Sequence, residues 1–167
     1  MKALKYIFIV IVGISLSACK IYSFSGASIS PDTKTVNVGY IENNAALVNP
    51  TLSQALTESL KDRIVSQTGL SLVRTSADIE FEGNIVDYSV KPIAIQGNEY
   101  ASQNRLTITV KVKFVNNKDE SKNFEQAFTR YSDYPGSANL ATVEAELIKT
   151  INTQLIDDIF NKAFVNW

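Results

Sequence analysis

Few side chains in this sequence can do chemistry, and their spacing limits what they can do. The 167 residues contain no histidine, and Cys19 is the one cysteine. The commonest general base near neutral pH and the commonest metal ligand are therefore missing, and with them Cys–His dyads, Ser–His–Asp triads and the usual zinc sites. Two carboxylate pairs remain. Glu80 and Glu82 stand two apart in an alternating segment and share one strand face, while Asp157 and Asp158 are adjacent in a helical pattern and diverge. Both pairs read as solvated charges rather than as a general acid and base. The glycines in "GNIVDYS" and "GNEY" lack the spacing of a nucleotide loop. A basic stripe is the stronger candidate: Arg105, Lys111 and Lys113 occupy the polar face of one strand. Cations in that arrangement could meet lipid phosphates or an anionic sugar. They could equally pair with Glu80 and Glu82 on a neighbouring strand, at about 0.2–1 kcal/mol per pair. The sequence assigns no catalytic residue, no metal site and no cofactor.

Cys19 cannot close a disulfide within its own chain, which leaves nucleophile, metal ligand, buried filler or attachment point. Its surroundings favour the last. In "MKALKYIFIVIVGISLSAC", Lys2 and Lys5 precede an apolar run from Tyr6 to Ile14, and Leu16-Ser17-Ala18 places small residues before the cysteine. This is the order of a secretory signal peptide. The run is short for a membrane span, which needs about 20 residues. "LSAC" resembles a bacterial lipobox, which implies cleavage before Cys19 and acylation of its sulfur and new amino group. The alternative is an ordinary signal peptide with an incidental cysteine. Each buried methylene contributes about 0.8 kcal/mol, and two acyl chains already anchor stably. Lys20 stands where an aspartate would resemble an inner-membrane retention signal, so the resemblance points to the outer membrane. Cleavage removes two of 16 basic residues, leaving 14 against 17 acidic ones. Such a balance makes no electrostatic case for nucleic acid. The expected organisation is a signal peptide over 1–18, a lipidated tether over 19–31 and one domain over 32–167.

The elements that hold the stripe follow from periodicity. "TKTVNVGYIEN" alternates, with Val36, Val38 and Tyr40 on one face. Asn49-Pro50 signals a helix start, and Leu52, Leu56, Leu60 and Ile64 line one face up to a stop at Gly69. "DIEFEGNIVDYSV" alternates again. In "RLTITVKVKFV", Leu106, Ile108, Val110, Val112 and Phe114 oppose Thr107, Thr109, Lys111 and Lys113. "NNKDES" suits a hairpin turn before a strand from Phe124 to Tyr131. Leu140, Val143, Leu147, Ile151, Leu155 and Ile159 recur at helical spacing. Phe124, Phe128, Tyr131, Tyr134, Phe160 and Phe164 read mostly as core, and Trp167 as core or a contact residue. These segments predict an α+β two-layer sandwich: two long helices on one face of a four-stranded, mostly antiparallel sheet. The charges suggest that residues 78–88 and 105–115 pair so that partner numbers add to about 193. Glu82 would then face Lys111, Glu80 would face Lys113, Phe81 would face Val112 and Ile85 would face Ile108, with Tyr88 beside Arg105.

Beyond these patterns, "YSFSGASI", "LVNPTLSQALTESLKDRI", "DIEFEGNIVDYSVKPIAI", "NRLTITVKVKF" and "INTQLIDDIFNKAFVNW" together resemble the LptE-like lipopolysaccharide-assembly lipoproteins of the Bacteroidetes type. The resemblance implies a non-catalytic, lipid-anchored α+β protein on the periplasmic side of the outer membrane. It would be lodged in an LptD-like β-barrel and help lipopolysaccharide reach the outer leaflet. The resemblance carries over no contact residues; the candidate anion or lipopolysaccharide contacts are Arg105, Lys111 and Lys113, from the strand pattern alone. A lipid-anchored ligand-binding or auxiliary module of an envelope transport complex is the rival reading.

Overall fold

The computed structural model describes residues 29–93 and 103–165. Its elements run β1 (Thr35–Val38), β2 (Glu42–Asn43), α1 (Leu52–Thr68), β3 (Ser71–Leu72), β4 (Ile79–Ile93), β5 (Gln103–Asn116), a single 3-10 turn (Glu120–Lys122), β6 (Phe124–Pro135) and α2 (Leu140–Phe164). The sheet order is β3-β1-β4-β5-β6, with β2 also on β4. The α+β class and the two helices stand as expected. The four-stranded, mostly antiparallel sheet does not: among the described residues the sheet has six strands and is mixed. β1 lies parallel to both β3 and β4, and β2 lies parallel to β4, whereas β4, β5 and β6 form an antiparallel meander. Two-residue strands such as β2 and β3 show no alternation, so pattern alone could not reveal them.

α1 packs over β1 and β2, α2 over β5 and β6, and the helices pack on each other. α1 ends where expected, with Gly69 at φ 69°, a left-handed conformation that favours glycine. It starts at Leu52 rather than at the proline, because Asn49 Oδ1 caps a preceding turn by accepting from Thr51 N at 3.0 Å. α2 is about 37 Å long at 1.5 Å per residue. Its Leu147, Ile151, Leu155 and Ile159 are buried, each worth about 1.5–3 kcal/mol. Asn139 caps α2 by accepting from Ala141 N at 3.0 Å. At the far end of this helix Phe164 sits 6.0 Å from Phe81 and 6.1 Å from Phe114, and Phe124 stacks on Phe114 at 5.1 Å. Phe128, Tyr134, Phe160 and Phe164 are buried as expected, but Tyr131 is 50% exposed. Trp167 and Cys19 lie outside the described residues.

Two bulges set which side chains reach the core. Val38 faces Phe81, yet Glu42 faces Asn84, so three residues of the first strand segment oppose two of β4. The alternation therefore changes phase: Ile41 turns inward at 2% exposure and Tyr40 turns outward at 61%, reversing the expectation for Tyr40. The Ile41 N–H, displaced from the ladder, donates to the buried Thr57 Oγ1 of α1 at 3.0 Å, and Thr57 donates in turn to Ser53 O. Gly83 permits this approach, since a Cβ there would lie 3.3 Å from Ile41 Cγ1.

The second bulge is at Val86, between Ile85 and Asp87. Below it Phe81 faces Phe114, Glu82 faces Lys113 and Ile85 faces Val110. The expected register is thus wrong by two residues, a shift that keeps every face and changes every partner. Above the bulge the phase flips. Tyr88 faces Ile108 in the core rather than standing beside Arg105, and its hydroxyl donates to Glu144 of α2. Burial, reinforced by the Glu144 carboxylate, pushes the Tyr88 phenol well above its usual range. One residue inserted between Asp87 and Tyr88 puts Tyr88 and Val90 on the wrong face. It should cost about 3 kcal/mol or more, as a large core truncation does. The exposed Val86→Thr should stay within about 0.5 kcal/mol. Urea melts of both variants check this.

Asp78 fastens β1 to the start of β4. Its Oδ2 accepts from Lys34 N at 2.9 Å, from Thr35 N at 3.0 Å and from Thr35 Oγ1 at 3.0 Å. The Lys34 backbone bond, then the Thr35 bonds, hold its carboxyl far below the usual carboxylate range. A depressed folded pKa contributes stability that is present above the unfolded value, about 3.9, and lost as pH falls toward the folded one. Asp78→Asn should therefore be less stable than wild type at pH 7, with the gap shrinking below about pH 4, as read from paired melts across that range.

Candidate functional site: the open face of the sheet

The helices cover one sheet face, and β4, β5 and β6 turn the other outward in rows. From one end these read Glu82–Lys113–Glu125, Asn84–Lys111–Ala127, Asp87–Thr109–Thr129, Ser89–Thr107–Tyr131 and Lys91–Arg105–Asp133. Arg105, Lys111 and Lys113 all lie on this face, as the strand pattern predicts. Their partners differ from those expected. Lys113 binds Glu82 at 3.1 Å, and Lys111 binds Glu125 of β6 at 2.5 Å. Glu80 instead accepts from Asn117 at 3.4 Å. Arg105, which the expected register leaves without a carboxylate, grips Asp133 through Nε at 2.7 Å and Nη2 at 2.9 Å, with its guanidinium 3.6 Å from the Tyr131 ring centroid. The ring beside Arg105 is thus Tyr131 and not the expected Tyr88.

The Arg105 guanidinium holds the Asp133 carboxyl below the usual carboxylate range, and Lys111, aided by Lys113, does the same for Glu125. Each cation of the stripe is therefore matched by a carboxylate, two of the three from β6. That strand's register was legible: Phe114 and Phe124 flank the "NNKDES" turn, and pairing them sets Arg105 against Asp133.

The adjacent acids of α2 diverge as their spacing predicts. Asp157 reaches Arg63 of α1 at 2.8 Å, while Asp158 takes two bonds from Arg130 of β6 at 2.5 and 2.6 Å. Their role here is to tie α2 to its two neighbours. Among the described residues no group of three or more acids, cysteines or histidines could hold a metal ion, and no helix is long and apolar enough to cross a membrane. A groove of about 450 Å³ lies between the start of α1 and the first half of α2, with Asn49, Ala55, Ile148 and Asn152 along it. Asn152 is 5% exposed and its Oδ1 accepts no hydrogen bond among the described residues. Sequence reasoning missed this groove, because an asparagine on an apolar helix face carries no motif.

A family model described as "LptE: Lipopolysaccharide-assembly" matches residues 33–163. No curated protein sequence matches the chain at a significant level. Among solved structures the fold is similar to that of a minor lipoprotein from Acinetobacter baumannii, with TM-score 0.51 and 15% identity over 78% of this chain and 91% of that one. It is also similar to a Helicobacter pylori protein described as a neuraminyllactose-binding hemagglutinin homolog, with TM-score 0.54 and 10% identity over 84% and 88% of the two chains. At these identities the likeness is one of fold.

The three ion pairs of the open face differ in strength. Lys111 and Lys113 are about half exposed, and such pairs contribute about 0–1 kcal/mol. Arg105 has a bidentate partner and an aromatic platform, which adds about 0.5–1 kcal/mol. In chemical melts Arg105→Ala should cost more stability than Lys111→Ala or Lys113→Ala, and the lysine changes should shrink further at high salt.

Proposed function

The chain belongs to the LptE family of lipopolysaccharide-assembly proteins, and from that premise we propose that it is an outer-membrane lipoprotein that lodges in an LptD-like β-barrel and assists lipopolysaccharide delivery to the outer leaflet. The observation that carries this reading is the family match over 33–163, which takes in every described strand and nearly all of α2. Cys19 is the lipid attachment point, residues 1–18 the signal peptide and residues 19–31 the tether to a domain over 32–167. The physical chemistry supports such a role. One sheet face is occupied by helices and the other is a polar surface with a row of cations, suited to the polar interior of a large barrel.

Arg105, Lys111 and Lys113 are the lipopolysaccharide contacts in this reading. An anion gains there only by displacing Glu82, Glu125 or Asp133. Displacement is cheap at the exposed lysine pairs and dearer at Arg105, so phosphates exchange onto Lys111 and Lys113 while Arg105 stays held. The groove beside Asn152 favours a second reading, a lipid-anchored ligand-binding module. Capture of a small ligand by the isolated chain, with no barrel retained, would select it.

Cys19→Ala should abolish fatty-acid labelling and leave uncut precursor, and normal labelling of that variant would remove the anchor. Lys111→Glu with Lys113→Glu should weaken lipopolysaccharide binding at least tenfold, about 1.4 kcal/mol, with a melting temperature close to wild type. Unchanged binding would make the stripe a solvated face. Barrel co-purification from native membranes reads the plug role separately.

A further inference from the structure

We propose that the outer edge of β6, with the cleft that α2 forms beside it, takes an extended segment of a partner protein as an added antiparallel strand. That segment carries an aromatic residue and, five positions later, an acidic one. The edge is defined by where the backbone groups point. Asn116 N donates to the side chain of Asn123, on the β6 side, at 2.7 Å, whereas Asn117 N donates to Asp78 O, on the β4 side, at 2.8 Å. Even-numbered residues of β5 therefore turn toward β6. Residues facing each other in such a row exchange both backbone bonds, so Phe124, Gln126 and Phe128 are used by β5. Glu125, Ala127, Thr129, Tyr131 and Asp133 turn their N–H and C=O groups outward, and among the described residues no strand meets them. At 12 residues the edge is about 40 Å long.

Elsewhere the rim of the sheet is blunted. β3 has two residues. Above the Val86 bulge, Asp87, Ser89 and Lys91 are used by β5, and Tyr88, Val90 and Pro92 turn away from it. Pro92 has no N–H to give. A short strand, a bulge and a proline are devices that keep an edge from pairing. β6 has none of them between Phe124 and Tyr134, and its register with β5 is unbroken. Outward amides and carbonyls at every second residue match an extended backbone. In that mode of recognition main-chain bonds give affinity, and pockets for alternate side chains give specificity.

The side chains of an added strand alternate between the α2 side and the open face. On the α2 side lies a cleft of about 470 Å³ between Gln126 and Arg130 of β6 and Asp158, Asn161 and Lys162 of α2. Asp158 neutralises Arg130. Lys162 meets the Phe124 ring at 5.6 Å and, among the described residues, no carboxylate. Lys162 is thus the cation left over, and it favours an acidic side chain opposite Gln126. On the open face the half-exposed Tyr131 favours an aromatic residue opposite it. Tyr131 and Gln126 are five apart and point to opposite faces, so along an antiparallel strand the acid follows the aromatic by five. A parallel strand would reverse that order, and parallel pairing is slightly weaker per residue. A second copy fits this edge less well, because full antiparallel overlap sets Glu125 against Asp133 at both ends, and like charges directly opposite destabilise. The site uses the β6 backbone and α2 rather than Lys111 and Lys113, so it does not rest on the lipopolysaccharide reading.

The test is residue-by-residue amide hydrogen exchange on the full chain in detergent. The probe is a synthetic threonine-rich peptide of about ten residues, long enough to cover the outward row, with one tyrosine and, five residues later, one glutamate. Without peptide, the Ala127, Thr129 and Tyr131 amides should exchange fast and those of Gln126, Phe128 and Arg130 slowly. Saturating peptide should slow the first three at least tenfold. A peptide N-methylated at the residues opposite those three should have no effect, and one methylated at the intervening residues should act like the parent. Ala127→Pro removes an outward N–H, a change that an edge strand tolerates, and should weaken peptide binding at least tenfold. Lys162→Glu should do the same, and a peptide with lysine in place of the glutamate should restore binding to that variant. If Ala127→Pro melts well below wild type, the Lys162→Glu charge swap decides alone. No slowing by the parent peptide, equal effects of both methylated peptides, or a charge swap without rescue would each overturn the site. So would edge amides already protected without peptide, the result expected if the chain itself or a second copy covers the edge. Any of these removes the strand-addition site and leaves the lipopolysaccharide reading as it stands.

Discussion

The molecule depends on β4 and β5 agreeing about which side is inside. β5 keeps strict alternation along its whole apolar row, from Leu106 to Phe114, all buried. β4 does not: Ile79, Phe81 and Ile85 are inward at odd positions, and Tyr88 is inward at an even one. A one-residue offset in one strand must be absorbed somewhere, because otherwise half of β4 would present its polar side chains to the helices. Val86 absorbs it. The continuous apolar surface on which α1 and α2 rest, and the continuous polar surface opposite, both follow from that single extra residue.

How much of this could be read in advance varies with the kind of order involved. Both helices, their apolar stripes and the four longest strands follow from period alone, since burial of one face imposes 3.6 or 2 on the sequence. The stop at Gly69 was equally legible, because a left-handed residue after a helix selects glycine. Register was not. The charges of Glu80, Glu82, Lys111 and Lys113 suggested one alignment, but exposed ion pairs are too weak to choose register against the aromatic packing of Phe81 on Phe114 and Phe164. Bulges escaped for a related reason. A strand with one extra residue reads as two shorter alternations out of phase, and both "VNVGYI" and "EGNIVDY" do so once the phase change is looked for.

The polar face shows a similar division. That Arg105, Lys111 and Lys113 share a face needed only alternation. That β6 supplies Asp133 and Glu125 needed the register of the second hairpin, fixed by the aromatic residues flanking its turn. The result is a surface whose positive charges are balanced locally, so that long-range attraction for an anion is small and recognition rests on exchange of partners at close range. Asn152 was beyond reach altogether: its burial depends on how two helices meet, and nothing local marks it.

The Asp78 fastening also has a mechanical meaning. Any tension on the chain ahead of Ile29 passes through residues 30–34 and reaches the sheet at the hydrogen bonds that Lys34 and Thr35 give to Asp78. Behind them lies β1, hydrogen-bonded on both sides, to β3 and β4. A pull along the strand axis loads these bonds together, in shear, instead of opening them one at a time as a pull on an edge strand would. The fold thus receives its upstream chain at a point built to bear load, and the first part to yield under force should be the approach to the sheet rather than the sheet.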